Sequence, residues 1–135
     1  MTAYRLTADE QGHTHLEAWD LFDWPFENGP GDFKGVGGAV LGDASRVMLM
    51  RFERGAHPGF HRAVPSFAVV VAGEIVVSDS SGQDVVLRTG DAIRVETTGR
   101  GGWRLGNRGE EVALLALVQM PVQMLPAGPS GEGSP

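Results

Sequence analysis

The sequence predicts an all-β fold in a single domain. Three features carry that expectation: glycine and proline at short intervals, apolar runs of strand length, and turn residues between those runs. The 135 residues include 20 glycines and 8 prolines, which interrupt helices and supply turns. A chain of this length is most simply one domain, large enough to bury a core around a ligand-sized cavity.

Each element follows from its local pattern. THLEAWDLFDWPF (Thr14 to Phe26) reads as a short helix, with Thr14 and Glu17 matching a capping box and Pro25 ending it, or as an aromatic-rich arm along the β-fold. RVMLMRFE (Arg46 to Glu53) reads as a strand with Met48, Met50 and Phe52 on one face. SFAVVVA (Ser66 to Ala72) is the clearest strand, followed by a Gly73-Glu74 turn and a second run, Ile75 to Ser78. SDSSGQD (Ser78 to Asp84) is a hairpin loop, after which Val85 to Arg88 resumes the sheet. Thr89-Gly90-Asp91 is a turn into a strand from Ala92 to Glu96. EVALLALVQM (Glu111 to Met120) has helix formers, but its place after the Asn107 to Glu110 turn favours a closing strand. Pro126 to Pro135 holds no large apolar residue and reads as a disordered tail, which bounds the folded domain at residues 1–125.

Composition narrows the function classes. Cysteine is absent, which removes disulfides, thiolate nucleophiles and Cys-ligated metals. The net charge of −6 and a single lysine, Lys34, argue against a nucleic-acid surface. No apolar run approaches the roughly 20 residues that span a bilayer. The first residues lack the basic-then-apolar pattern of a signal peptide. A cytoplasmic protein without nucleic-acid or membrane partners is the expectation.

Two segments carry the site. GAHPGFHRAVPSFAVVVAG (Gly55 to Gly73) places His57 and His61 just before an apolar strand, and TGDAIRVETTGRGGWRLGN (Thr89 to Asn107) repeats the strand, glycine turn and strand. Together they resemble the two motifs of a small single-domain bacterial cupin, over a core of about residues 36–121. The most specific match is GDAIRVETTGRG, similar to a glycine–aspartate turn, strand and D/E-T-T-G-K/R-G turn found in a group of small cupins. GHTHLEA (Gly12 to Ala18) also has a counterpart there. The resemblance implies a jelly-roll β-barrel with a small-molecule pocket, and a homodimer.

The resemblance also implies a metal site of two histidines in an H-x-H pair, a glutamate and a third histidine. Here His61 keeps one of the pair, Gly59 stands in place of its partner, Ser66 stands in place of the glutamate, and Gly102 and Trp103 stand near the place of the third histidine. No metal or other cofactor is therefore expected. A metal-dependent dioxygenase or isomerase built on His57 and His61, with Glu53, Glu74 or Glu96 supplying oxygen, is the alternative. A non-catalytic ligand-binding barrel is a further one.

His61 is the leading candidate for proton transfer, with His57 beside it and Arg104 to hold a carboxylate, enolate or carbonyl oxygen. The bland readings are a backbone-satisfied His61, an exposed His57 and a solvated Arg104. Gly102 in place of a side chain suggests an enlarged pocket for an apolar substrate. Met48, Met50, Phe52, Phe60, Ser66, Ala68, Val70, Gly102 and Trp103 are candidates for its walls, with Phe67, Val69 and Val71 on the other phase of the same strand. Arg104 and Trp103 fall on opposite phases of their strand, and a register shift of one exchanges their roles. The expected activity is metal-independent cyclisation, isomerisation or dehydration. Small cupins that act as cyclases in bacterial polyketide pathways give the precedent, and a lysine-poor composition suits the high-GC genomes where such pathways are common.

Overall fold

A computed structural model describes residues 1–23, 25–28, 35–62, 64–96 and 100–121. Among these residues the strands are β1 (Ala3–Ala8), β2 (Thr14–Ala18), β3 (Glu27–Asn28), β4 (Gly37–Gly38), β5 (Arg46–Phe52), β6 (Ser66–Ala72), β7 (Glu74–Asp79), β8 (Asp84–Arg88), β9 (Ala92–Val95), β10 (Trp103–Gly106) and β11 (Ala113–Gln119). Among the described residues the one helical element is a 3-10 turn, Leu21–Asp23. A six-stranded sheet runs β2-β1-β9-β6-β11-β5, a three-stranded sheet runs β10-β7-β8, and β3 and β4 form a short ribbon. The two larger sheets face each other across one core, a jelly-roll arrangement in which crossovers between sheets replace simple meanders.

Alternation builds that core. Along β6, Ser66, Ala68 and Val70 turn inward, and Leu115 and Leu117 of β11 join them beside Val95 of β9. The opposing sheet contributes Ile75 and Val77 from β7, Leu87 from β8 and Trp103 and Leu105 from β10. Gly73 turns β6 into β7 at φ +79, where a side chain would press on the backbone of Ala113.

The strands from Arg46 onward stand where the sequence places them, and the closing run is a strand. The N-terminal segment differs. Thr14 opens no helix; it begins β2, which pairs antiparallel with β1, while β1 pairs parallel with β9. Leu6 and Leu16 reach the core, so this hairpin is part of the sheet rather than an arm laid over it. The reason is tertiary. Thr14 is fully buried, and its hydroxyl donates to the Gly102 carbonyl at 2.6 Å while accepting from the Ser80 amide at 2.8 Å. Its own amide donates to Ser80 Oγ at 2.7 Å. Nearby, buried Asp79 accepts from the amide of Leu16 at 2.9 Å and from those of Ser81 and Gln83 at 2.9 Å each. The tail from Pro126 and the turn residues Thr97, Thr98 and Gly99 lie outside the described residues.

Thr14→Val keeps the shape of the side chain and removes its hydroxyl, leaving the Ser80 amide and the Gly102 carbonyl without that partner. The expected cost is about 1–3 kcal/mol of stability, measured by urea denaturation. An unchanged midpoint would mean the seam does not hold the sheets together.

Candidate functional site

The three-stranded sheet is occupied on both faces. Trp103 pairs with Asp79 and Leu105 with Val77, and Trp103, Leu105 and Val77 belong to the core. Arg104 pairs with Ser78 and Gly106 with Val76, on the face turned away from that core. On this outer face His57, Val76, Ser78, Arg104, Gly106 and Arg108 line a cleft of about 280 Å³. Val76 and Ser78 are buried in its floor, and His57 is exposed at its rim.

Three local features bring His57 and Arg104 together. Asn107, 1% exposed, donates from its side-chain amide to the carbonyls of Phe52 at 3.0 Å and Glu111 at 2.8 Å, and accepts from the Gly109 amide at 2.9 Å. Its backbone continues the tie: Asn107 N–H donates to Ala56 and Gly55 N–H to Asn107, at 2.7 and 3.0 Å. The loop bearing His57 is thereby fixed to the end of the strand bearing Arg104. Gly106 supplies the clearance, since a methyl group there would sit 3.2 Å from His57 Cβ. Finally, Arg104 lies with its guanidinium carbon 4.9 Å from the centre of the Phe60 ring, a cation–π contact that holds the charge against the ring.

The electrostatics of the cleft are mostly basic. Arg108 Nη2 lies 3.1 Å from Asp84 Oδ2. The Ser78 hydroxyl first, and then Arg108, hold the Asp84 carboxyl below the usual carboxylate range by hydrogen bonding to its charged form. Arg104 adds a smaller Coulombic pull in the same direction.

The structure does not bring His61 to this cleft. His61 and Trp103 exchange two backbone hydrogen bonds of 2.9 Å, so His61 shares the face of Trp103 while Phe60 shares that of Arg104. His57 and Arg104 therefore meet on one side of the sheet, and His61 lies on the other. The proposed pocket walls divide in the same way. Phe52, Ala68, Val70 and Trp103 are buried together in the core, with Met48 and Met50 packed against them. Ser66 is satisfied within its own turn, its hydroxyl donating to the Val64 carbonyl at 2.8 Å. Phe60 is 47% exposed and serves as the platform for Arg104.

Gly102 corrects the expectation of an enlarged pocket. It is buried with φ +68, and a side chain there would run into the carbonyl of His61. The glycine permits close backbone approach, and the neighbouring Trp103 fills the interior. Asn107 and Ser78 are the residues that sequence reasoning missed. The turn signal after Gly106 pointed to the place of Asn107 without revealing its long-range bonds.

A metal centre of the type that the cupin resemblance implies does not fit these residues. Among the described residues no three His or carboxylate side chains converge on one point. The carboxylates considered as extra ligands are engaged elsewhere: Glu53 with Arg51 at 2.7 Å, Glu74 with Arg88 at 3.3 Å and Glu96 with Arg5 at 3.8 Å. His15 bridges Asp9 and Ser81 at 2.9 Å each. No helix among the described residues is long and apolar enough to cross a membrane.

No protein-family model and no curated protein matches the sequence. Several solved structures do. A sugar phosphate isomerase of the cupin superfamily from Silicibacter pomeroyi is 24% identical with a TM-score of 0.49, over 58% of this chain and 51% of that one. A predicted oxalate decarboxylase from Thermotoga maritima is 24% identical with a TM-score of 0.45, over 58% and 68%. The cupin domain of an XRE family transcriptional regulator from Enterobacter cloacae is 20% identical with a TM-score of 0.44, over 56% and 81%. The matched part spans about half the length of the first of these. Two facing sheets in this strand order give the chain an all-β jelly-roll fold.

Proposed function

We propose that this chain is a small-molecule enzyme that works by proton transfer in the His57–Arg104 cleft, promoting isomerisation, cyclisation or dehydration. The observation that carries this reading is the presence of an imidazole and a guanidinium in one cleft of about 280 Å³ floored by buried Val76. Imidazole both accepts and donates protons near neutral pH. His57 takes a proton from a carbon next to a carbonyl, and the electron pair of that C–H bond moves onto the carbonyl oxygen. Arg104 donates hydrogen bonds to the resulting enolate, which is stabilised more than the starting ketone because its charge is larger. Return of the proton to another carbon completes an isomerisation, and its delivery to a departing hydroxyl completes a dehydration. Attack of the enolate on a second carbonyl of the same molecule gives a ring, with His57 protonating the new alkoxide. A polyketide-like substrate, with carbonyls at alternate carbons, meets these needs.

We also propose that the chain forms a homodimer through the outer face of the six-stranded sheet. Val47, Leu49 and Val71 are 73%, 66% and 48% exposed there, and β5 has one strand neighbour among the described residues. A second copy of the same edge and face would cover them.

Deuterium incorporation from solvent into small 1,3-dicarbonyl compounds, followed by NMR, tests the chemistry. His57→Ala should slow the exchange about a hundredfold or more, and equal rates in both proteins would sink the proposal. Binding without exchange in the unaltered protein would favour a ligand-binding barrel instead. Carboxyl NMR should place the Asp84 midpoint below the usual range, and Ser78→Ala should move it upward. Because folding lowers this pKa, the contribution of the Asp84–Arg108 pair is present above the ordinary carboxylate range and lost as pH falls through the lowered value. For the dimer, light scattering should give twice the chain mass, with a Val47→Lys/Leu49→Lys variant at the single mass. A monomer at all concentrations would refute it.

A further inference from the structure

Of the two arginines that line the cleft, one is ion-paired. Arg88 faces Glu74 at 3.3 Å and Arg108 faces Asp84 at 3.1 Å. Arg104 forms no ion pair with a described residue; its guanidinium lies over Phe60. The Phe60 contact uses none of the fork's N–H donors, with which arginine grips a planar carboxylate through two parallel hydrogen bonds. Val76 and Gly106 provide an apolar stretch beside it, and the volume of about 280 Å³ is at the small end for ligand sites.

We propose that the cleft selects a small carboxylate monoanion, its carboxylate on the edge of Arg104 and its apolar body over Val76 and Gly106. This inference rests on the role given to the cleft above and names the class of molecule it takes. Charge matching decides between anions. The one cleft arginine without an ion pair balances one negative charge, whereas a phosphate dianion brings a second charge toward Arg108, whose own charge is already met by Asp84. Neutral alcohols leave Arg104 without a partner and gain only the apolar contact. In the reaction proposed above, the carboxylate anchors the substrate while the carbonyl to be enolised lies toward His57, so the acid group is retained rather than consumed.

Benzoate, benzyl alcohol and phenyl phosphate probe the three cases with the same ring. Titrated at millimolar concentrations against the intact chain and followed by amide NMR shifts, benzoate should give a saturable shift at Gly106. Its affinity should fall as salt is raised. Arg104→Ala should weaken benzoate about tenfold or more, Arg104→Lys should lie between, and Arg46→Ala, at the start of β5 in the six-stranded sheet, should match the unaltered protein. Circular dichroism checks that each variant is folded. The proposal is overturned if benzoate does not saturate, if benzyl alcohol binds as tightly, if phenyl phosphate binds more tightly, or if Arg104→Ala changes nothing. Arg104-dependent benzoate binding in a protein that exchanges no substrate protons would leave this inference standing and remove the proton-transfer reading. Exchange confined to neutral ketones would do the reverse.

Discussion

A three-stranded sheet cannot enclose a core by itself, so everything in this molecule depends on how it is tied to the larger sheet. The tie is a buried polar seam. Thr14 and Asp79 sit at or near zero exposure, and between them they satisfy backbone groups from the N-terminal hairpin, the β7–β8 turn and the approach to β10. Buried polar groups are costly unless every partner is present. The seam therefore specifies one relative placement of the sheets, where apolar packing alone would tolerate several. Inward alternation on β6, β7, β9, β10 and β11 then fills the space so defined.

The cleft inherits its geometry from that placement. Asn107 transmits it, joining the loop at Ala56 to the end of β10 through backbone and side chain together. Because the amide of Asn107 is buried, the distance from His57 to Arg104 is set by strand pairing and a fixed loop rather than by a mobile rim. Phe60 adds the last constraint by holding the guanidinium against its ring. An enzyme site needs this kind of support, since a group misplaced by an ångström loses much of its effect.

Much of this was legible from residues alone, and the failures have physical causes. Ser66 to Ala72 shows its alternation openly, and its ends are marked by Pro65 and Gly73. The N-terminal hairpin was hidden because Thr14 and Glu17 satisfy a helix signal locally. What decides their conformation is the pairing of β2 with β1, which β9 holds in turn, and the bonds of Thr14 to Ser80 and Gly102, far away in sequence. The phase of WRLG was ambiguous for the same reason. Nothing within those four residues says which side faces the core; the pairing of Leu105 with Val77 does. So Arg104 and His57 were recognisable as chemistry, while their meeting on the outer face, and the separation of His61 from them, required the register.

Gly102 limits what the interior can become. Its positive φ and the carbonyl of His61 against it leave no room for any side chain, and Trp103 next to it has become part of the hydrophobic core. A histidine placed at 102 would first have to push two strands apart, and one at 103 would leave the core without its largest side chain. The interior is in that sense locked: single substitutions lead downhill in stability before they reach a metal ligand. New chemistry on this fold has an easier route over its outer surface, where His57 and Arg108 are exposed and lie outside the hydrophobic core.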